Sequence, residues 1–225
     1  MDGWAGVRPV ARRVAGPCRD DRKIGTASKD HGMILEGLLV DLVPYGNRFL
    51  ELEHRWHNGE AWFWATAGDY WFETKNQLQR MHQERRERLG EHPSHSVWFG
   101  IQTKDGKPLG DIAMNWVVPH HRLAMLGAGI GEPEYWGGGY GTDALMLMLD
   151  YTFDWLDLHK IWLGTMDLNA RVKRQMEKVG FTLEVRRREN WFVNGQRQDE
   201  LLYGMLRDEW PGRAVMVERL GLKAR

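Results

Sequence analysis

The first 32 residues differ from the rest of the chain in their pattern of apolar positions. Charged residues are interspersed there with glycine and proline, and the apolar positions follow neither a helical nor a strand period. Such a segment lacks the apolar surface for a core, so we predict a disordered tail over residues 1–32. A regular apolar pattern begins at Met33 and continues through Leu42, where we expect the fold to start.

Beyond residue 44 the period of the apolar positions changes repeatedly, and each change predicts an element. Spacings of three and four residues are typical of a helix with one buried face, and alternation is typical of a strand. The predicted helices cover residues 45–58, 71–89, 139–156 and 169–179. The predicted strands cover residues 96–103, 108–117, 123–130, 160–166, 181–193 and 196–206.

Two dipeptides, Asp105-Gly106 and Asn194-Gly195, separate neighbouring predicted strands and favour tight hairpin turns. The order is then two helices, a three-strand meander, a helix, a strand, a helix and a hairpin. This order predicts one α/β domain over residues 33–210, with helices on both faces of a mixed, mostly antiparallel sheet. Residues 211–225 are interpreted as a C-terminal extension.

Composition narrows the classes of function. The 31 basic and 31 acidic residues give a formal net charge of zero, so no global field attracts nucleic acid or an anionic membrane. The longest apolar runs fall short of the roughly 20 residues that span a bilayer. A single cysteine, Cys18, excludes an internal disulfide and a multi-cysteine metal site. We therefore expect a cytoplasmic protein with no metal, nucleic-acid partner or membrane partner.

The most informative segment is rich in glycine and runs from Tyr135 to Thr142, with the sequence Tyr-Trp-Gly-Gly-Gly-Tyr-Gly-Thr. It lies between a predicted strand and the start of a predicted helix. Glycines allow successive backbone N–H groups to converge, and a helix N-terminus adds partial positive charge, so this segment suits a diphosphate. A tight turn before a helix is the simpler interpretation of the same residues.

Two common phosphate-binding folds fit this segment poorly. A nucleoside triphosphatase loop needs Gly-Lys-Ser/Thr, whereas Gly141-Thr142 has no lysine between its two residues. A dinucleotide fold needs repeated βαβ units, whereas here a meander precedes the loop and a hairpin follows the last predicted helix.

The segment from Trp136 to Gly141 resembles the acyl-CoA diphosphate loop of the GNAT superfamily of N-acetyltransferases, with Trp in place of the usual Gln or Arg. Other matching segments are Leu158 to Leu163, Asn169, Glu177 to Phe181 and the closing hairpin at Asn194-Gly195. The resemblance covers about residues 33–210. In detail, the loop sequence from Tyr135 to Thr142 is similar to that of the subfamily that includes ribosomal-protein alanine acetyltransferases and spermidine acetyltransferases.

The resemblance implies that acetyl-CoA is the cosubstrate and lies where the strand 123–130 splays away from the strand 160–166. Asn169 would reach the pantetheine side, although it also suits a helix N-cap. The implied cofactor-binding residues are Ala128, Gly129, Ile130, Trp136, Gly137, Gly138, Gly139, Tyr140, Gly141, Thr142, Asn169 and Met176.

The sequence assigns no acid or base. Met176 stands where the family often carries a tyrosine, and Met125 stands where relatives often carry a glutamate. A thioether cannot exchange a proton with the substrate. The replacement candidates are His120, His121, Glu134, Tyr140 and Tyr203, each of which is also explained as an exposed turn residue or a packed aromatic.

We therefore expect an N-acetyltransferase that moves acetyl to a primary amine of a small molecule or a protein N-terminus. The alternative is an acyl-CoA-binding regulatory or interaction module without catalysis, which the two methionines favour. Aromatic residues in the first helices would wall an acceptor pocket, or would belong to the core or to a homodimer contact. These residues are Trp56, Trp62, Trp64 and Trp71.

Overall fold

A computed structural model describes residues 34–66, 72–91 and 96–224. The predicted tail at residues 1–32 and the predicted pocket residue Trp71 lie outside these ranges. Its strands are β1 (Leu35–Glu36), β2 (Val40–Pro44), β3 (Val97–Thr103), β4 (Pro108–Val118), β5 (Leu123–Ile130), β6 (Lys160–Met166), β7 (Thr182–Val193) and β8 (Gln196–Leu206). Its helices are α1 (Asn47–His57), α2 (Glu60–Ala65), α3 (Lys75–Glu91), α4 (Tyr140–Asp150), α5 (Ala170–Val179) and α6 (Arg213–Leu220).

The strands form one eight-stranded sheet in the order β1-β2-β3-β4-β5-β6-β8-β7. Neighbouring strands pair antiparallel except β5 and β6, which are parallel. A parallel pair needs a crossover connection, and here α4 lies on that connection. The predicted α/β domain with a mixed, mostly antiparallel sheet is confirmed.

The main core lies between the sheet and the helices α4 and α5. Ile112 and Met114 of β4 and Ile161 of β6 are fully buried there. They pack in one apolar cluster with Met148 of α4 and Val179 of α5. A smaller cluster on the opposite face contains Phe49 and Trp56 of α1. Helices therefore cover both faces, as predicted.

Several element boundaries differ from the sequence predictions. The helix predicted over 71–89 begins at Lys75, and residues 72–74 before it are not helical. The helix predicted over 139–156 ends in a π-helical turn at Tyr151–Trp155. The strands β1 and β2 and the short helix α2 were not predicted. The strand β2 is buried on both faces along four of its five residues, so it lacks the polar alternation that identifies a strand.

Candidate active site

The parallel pair β5 and β6 opens partway along its length. Pairing covers Leu123–Lys160, Ala124–Ile161 and Met125–Trp162 and then stops, although β5 continues to Ile130 and β6 to Met166. Beyond Met125, the edge of β5 that faces β6 has no strand partner among the described strands. The sheet therefore contains a wedge-shaped cleft whose closed end lies at Met125 and Trp162.

The glycine-rich segment leads from β5 into α4 at the open end of this cleft. Trp136 anchors it, since its indole N–H donates to the backbone oxygen of Ile130 at 2.7 Å. Gly137 and Gly139 have φ angles of 75° and 93°, in the left-handed region that favours glycine. The first hydrogen bond of α4 runs from the N–H of Asp143 to Gly139. The preceding N–H groups of α4 have no helical carbonyl to bind and are suited to an anion.

Two side chains of α5 face this segment. The guanidinium of Arg171 lies 3.9 Å from the ring centroid of Trp136 and 5.8 Å from that of Trp64. One turn further along, Gln175 approaches the hydroxyl of Thr142 at 3.5 Å. Burial lowers the pKa of Arg171, although an arginine remains charged at neutral pH. The segment thus has a cation beside it that sequence reasoning did not identify.

A buried carboxylate in the first turn of α4 holds the end of the glycine-rich segment in place. Asp143 of α4 is fully buried and accepts hydrogen bonds from the backbone N–H groups of Leu38, Leu39 and Val40 at 2.6–3.2 Å. Its other oxygen accepts from Arg213 of α6 at 2.7 Å. An acidic residue in the first turn of a helix was the sequence signal for this role, but its partners lie 70 or more residues away.

The predicted cofactor residues occupy different environments. Ala128, Gly129 and Ile130 form the end of β5 that borders the open cleft. Asn169 is buried and caps α5, where its side chain accepts from the N–H of Val172 at 3.2 Å. Met176 is 2% exposed and packs in the main core. Tyr140 packs edge-on against Tyr135 with ring centroids 4.9 Å apart.

The replacement candidates for acid or base do not gather in the cleft. His120 and His121 lie in the turn before β5, at the closed end of the parallel pair. Glu134 is exposed and pairs with Lys107 at 3.2 Å, and Tyr203 is buried in the main core. None of these positions alone assigns a proton-transfer role.

On the face opposite α4, a cavity of about 190 Å³ lies between the helices α1 and α2 and the strands β4 and β5. Trp56 and Trp62 line it, together with the carboxylates of Glu53 and Asp111. Its floor consists of small residues, among them Gly127 and Gly129. Two of the four predicted aromatic residues thus wall a pocket, whereas Trp64 stacks with Arg171 instead.

Two carboxylates and two imidazoles form a network in the wall of this cavity. The Nε2 atom of His57 lies 3.3 Å from Glu53, and its Nδ1 atom lies 2.6 Å from Glu73. The Nε2 atom of His82 on α3 also contacts Glu53, and Trp62 stacks on the His57 ring with centroids 3.5 Å apart. The spacing of Glu53 and His57 on one helix face was visible in the sequence, but Glu73 and His82 come from other parts of the chain.

The network shifts the pKa values of its members. Burial alone would lower the pKa of His57, but hydrogen bonds and charges from Glu53 and Glu73 raise it above the usual value. Burial alone would raise the pKa of Glu53, but the two imidazoles lower it. His57 is therefore held towards its charged form between two carboxylates. Within the described ranges, no cluster of His, Cys, Asp and Glu is arranged to hold a metal ion.

Comparison with known proteins identifies this architecture. A family model described as an acetyltransferase (GNAT) domain matches residues 49–182, which is more than half of the chain. The chain belongs to the GNAT family of acetyltransferases, and the resemblance seen in its loop and helix motifs is confirmed. Its described residues include no helix that is long and apolar enough to cross a membrane.

Individual relatives support the predicted subfamily. YdaF of Bacillus subtilis (strain 168), named provisionally as a ribosomal N-acetyltransferase, is 30% identical over 108 residues, covering 48% of this chain and 58% of that protein. The spermidine N(1)-acetyltransferase of Escherichia coli (strain K12) is 32% identical over 97 residues, covering 43% of this chain and 52% of that protein. The chain therefore spans little more than half the length of either relative.

A solved structure supports the fold over a longer range. The crystal structure of a spermidine N-acetyltransferase from Vibrio cholerae, in complex with CoA and spermine, superposes with a TM-score of 0.68. The match covers 76% of this chain and 97% of the other, at 23% sequence identity. At this identity the likeness shows the shared fold.

Proposed function

We propose that this protein is an N-acetyltransferase that transfers acetyl from acetyl-CoA to a primary amine. The observation that carries the proposal is the cleft between β5 and β6, which opens directly beside the glycine-rich segment and the N-terminus of α4. Membership of the GNAT family and similarity to proteins named as N-acetyltransferases support the same activity.

The chain offers acetyl-CoA two kinds of contact. The N–H groups of Tyr140, Gly141 and Thr142, with Arg171 beside them, would hold the diphosphate. The unpaired edge of β5 at Ala128 to Ile130 would bind the amides of pantetheine as an added strand does. The acetyl thioester would then lie near the closed end of the cleft, below the cavity.

The cavity would hold the acceptor amine. Aromatic walls at Trp56 and Trp62 and the carboxylate of Asp111 suit a positively charged amine with an apolar body. The relatives named as spermidine acetyltransferases act on an acceptor of this chemistry, as their names state. We therefore propose a small cationic amine as the acceptor, and the protein N-terminus becomes the second class to be assayed.

The experiment is an assay of CoA thiol release from acetyl-CoA by the full chain. The acceptor panel contains polyamines, aminoglycosides, amino acids and N-terminal peptides. We expect saturable, amine-dependent release with at least one cationic small amine. Absence of amine-dependent release with the whole panel would contradict the proposed activity, and release with the peptides alone would contradict the proposed acceptor.

A variant of the cavity tests the acceptor assignment. Asp111→Asn removes one negative charge from the cavity but keeps an oxygen that can accept from Trp98, whose N–H now lies 2.8 Å from the carboxylate. We expect a higher KM for a cationic acceptor and an unchanged KM for acetyl-CoA. The matched control is Asp105→Asn, which removes an exposed carboxylate in the hairpin turn between β3 and β4.

A further inference from the structure

A buried carboxylate outside the cavity lies beside the open part of the cleft. Glu200 of β8 is 8% exposed. Its Oε2 atom accepts from Arg187 and from Asn190, each at 3.0 Å. Burying a carboxylate is unfavourable unless it is paired, and both partners bind the same oxygen. Within the described part of the chain, no hydrogen-bond donor contacts the other oxygen, Oε1.

The free oxygen lies over β6, just beyond the point where β5 and β6 separate. A Cβ atom placed on Gly164 would lie 3.1 Å from Oε1 of Glu200. Gly164 is two residues past Trp162, the last residue of β6 that pairs with β5. It is exposed between the buried residues Leu163 and Thr165, so the space above it belongs to the open face of the sheet. Because residue 164 has no side chain, the carboxylate occupies that space.

Glu200 and the cavity lie on the same face of the sheet. Trp162 pairs with Met125, and along β5 this face continues at Gly127 and Gly129, which form the cavity floor. The cavity extends over β4 and β5, whereas Glu200 lies over β6 and β8. The open part of the cleft is between them, so an acceptor that reaches from the cavity into the cleft would meet Oε1.

The strand β7 is shaped to hold Glu200 in this position. Its pairing with β8 shifts register between Arg187 and Trp191. Glu189 in this bulge has a φ of 54°, and its N–H donates to Asp199 at 2.8 Å. The bulge brings both Arg187 and Asn190 to one oxygen of Glu200, and bulges commonly aim side chains in this way. The arrangement fixes the carboxylate and leaves Oε1 available.

We propose that Glu200 is the general base of the acetyl transfer, an assignment that rests on the proposed function. Oε1 takes a proton from the acceptor ammonium, and the neutral amine then attacks the thioester carbonyl. As the new N–C bond forms and the C–S bond breaks, the amine loses a second proton to the departing sulfur, which leaves as CoA thiol. Glu200 returns its proton to water. The carboxylate of Glu200 can accept a proton from the acceptor, whereas the thioethers of Met125 and Met176 cannot.

The charged groups around Glu200 define what a pH profile would report. Arg187 of β7 contacts it directly. On the same face towards the closed end, Lys160 of β6 pairs with Glu184 of β7 at 2.7 Å. A separate cluster joins Arg186 to Asp167 and Asp199. Each of these other acidic groups has a basic partner, whereas Glu200 has an unengaged oxygen on the cleft.

The test is Glu200→Gln in the full chain, assayed with the acceptor that the wild type uses. We expect kcat to fall about 100-fold or more, the usual contribution of general base catalysis. The affinity for acetyl-CoA, measured by calorimetry, should be unchanged. The wild-type rate should fall at acid pH as the carboxylate is protonated, and this acid limb should be absent from the residual activity of the variant. Glu184→Gln, which removes a carboxylate of the same face at the closed end, should keep both the rate and the limb.

A second variant tests the role of Glu200 if Glu200→Gln does not fold. Gly164→Ala places a methyl group 3.1 Å from Oε1 and 3.1 Å from the side chain of Leu202, so the carboxylate has to move by a few tenths of an ångström. We expect a lower kcat with acetyl-CoA affinity retained. Full activity of either folded variant, or a loss confined to KM, would overturn the role of Glu200 while the acetyltransferase activity stands. A wild type inactive with every amine would overturn the activity itself, and the proposal with it.

Discussion

Asp143 connects three parts of the chain that are distant in sequence. It lies in the first turn of α4, accepts hydrogen bonds from the N–H groups of three consecutive residues at the start of β2, Leu38 to Val40, and pairs with Arg213 of α6. It therefore fixes the start of α4, and with it the glycine-rich segment. Removing one partner of a buried, hydrogen-bonded pair leaves the other charge uncompensated, which is strongly destabilising.

Asp143→Ala should lower the free energy of unfolding by about 3 to 5 kcal/mol, the range for breaking a buried ion pair. Urea unfolding followed by tryptophan fluorescence measures this change. Asp208→Ala, which removes an exposed carboxylate after β8, is the control and should have little effect. Equal stability of the two variants would show that Asp143 does not hold these segments together.

The histidine network predicts a pH dependence of stability. His57 has a raised pKa in the folded state, so its stabilising contribution is complete below its ordinary value of about 6.5 and is lost as the pH rises through the raised value. Glu53 has the opposite sign, because its lowered pKa preserves its contribution until the pH falls below about 4.5. The network is thus strongest in mildly acidic solution.

The melting temperature of the wild type should therefore decline from pH 6.5 towards alkaline pH more steeply than that of His57→Gln, which has no titrating imidazole at this site. Differential scanning calorimetry across this range measures the slope. His120→Gln, in the exposed turn before β5, should keep the wild-type slope. A wild-type slope in His57→Gln would mean that the network does not respond to pH.

At the scale of elements, α6 packs against the segment that begins α4. Trp210, three residues before α6, donates its indole N–H to Asp150 of α4 at 2.8 Å, and Met216 of α6 is fully buried. A Cβ atom placed on Gly139 would lie 2.8 Å from a side-chain methyl group of Leu222. Residues 211–225 were interpreted as an extension beyond a domain ending at 210. The domain limits stay a prediction, but α6 contributes contacts to the core and to the glycine-rich segment.

A chain that ends at Trp210 should be less stable and should bind acetyl-CoA more weakly, since it lacks the partner of Asp143 and the cover of Gly139. Thermal unfolding and calorimetric titration measure the two effects. A chain that ends at Leu222 keeps α6 and serves as the control. If both shortened chains match the full chain, α6 does not support the site.

The elements that sequence reasoning found and missed differ in physical ways. The helix α5 was found because it buries one regular face, with Met176 and Val179, against the sheet. The helix α2 has six residues, which is too short to display a helical period. The glycine-rich segment was recognisable because its residues are consecutive. The position of the Glu200 carboxylate over Gly164 could not be recognised in the same way, because the two residues are adjacent only once β6 and β8 are paired.

At the scale of the whole molecule, charge balance means that a polyanionic cosubstrate has to be attracted locally. The 31 basic and 31 acidic residues cancel, and many of the described cations are engaged in ion pairs. Arg171 instead stacks on Trp136 beside the start of α4. We therefore expect the affinity for acetyl-CoA to depend on this one side chain and the adjoining backbone.

Residues 1–32 should be dispensable, a prediction that depends on their composition alone. A chain that begins at Met33 should equal the full chain in melting temperature and in acetyl-CoA affinity. Calorimetry of the two chains measures both quantities. A large loss in the shorter chain would show that the segment packs on the domain.

The central claim is that acetyl-CoA binds in the cleft with its diphosphate on the glycine-rich segment. Gly141 is suited to test it, because a Cβ there would make only ordinary contacts, 3.6 Å from Ile130 and 3.7 Å from Gln175. Gly141→Val should therefore fold, while its side chain projects into the space between β5 and α5. The matched control is Gly46→Val, before α1, where a Cβ would approach only a backbone oxygen at 3.9 Å.

Calorimetric titration of the full chain with acetyl-CoA is the most direct measurement. We predict one site per chain, wild-type affinity in Gly46→Val, and at least a tenfold weaker Kd in a folded Gly141→Val, which corresponds to about 1.4 kcal/mol. No binding to the wild type, or equal affinity in all three proteins, would contradict the account.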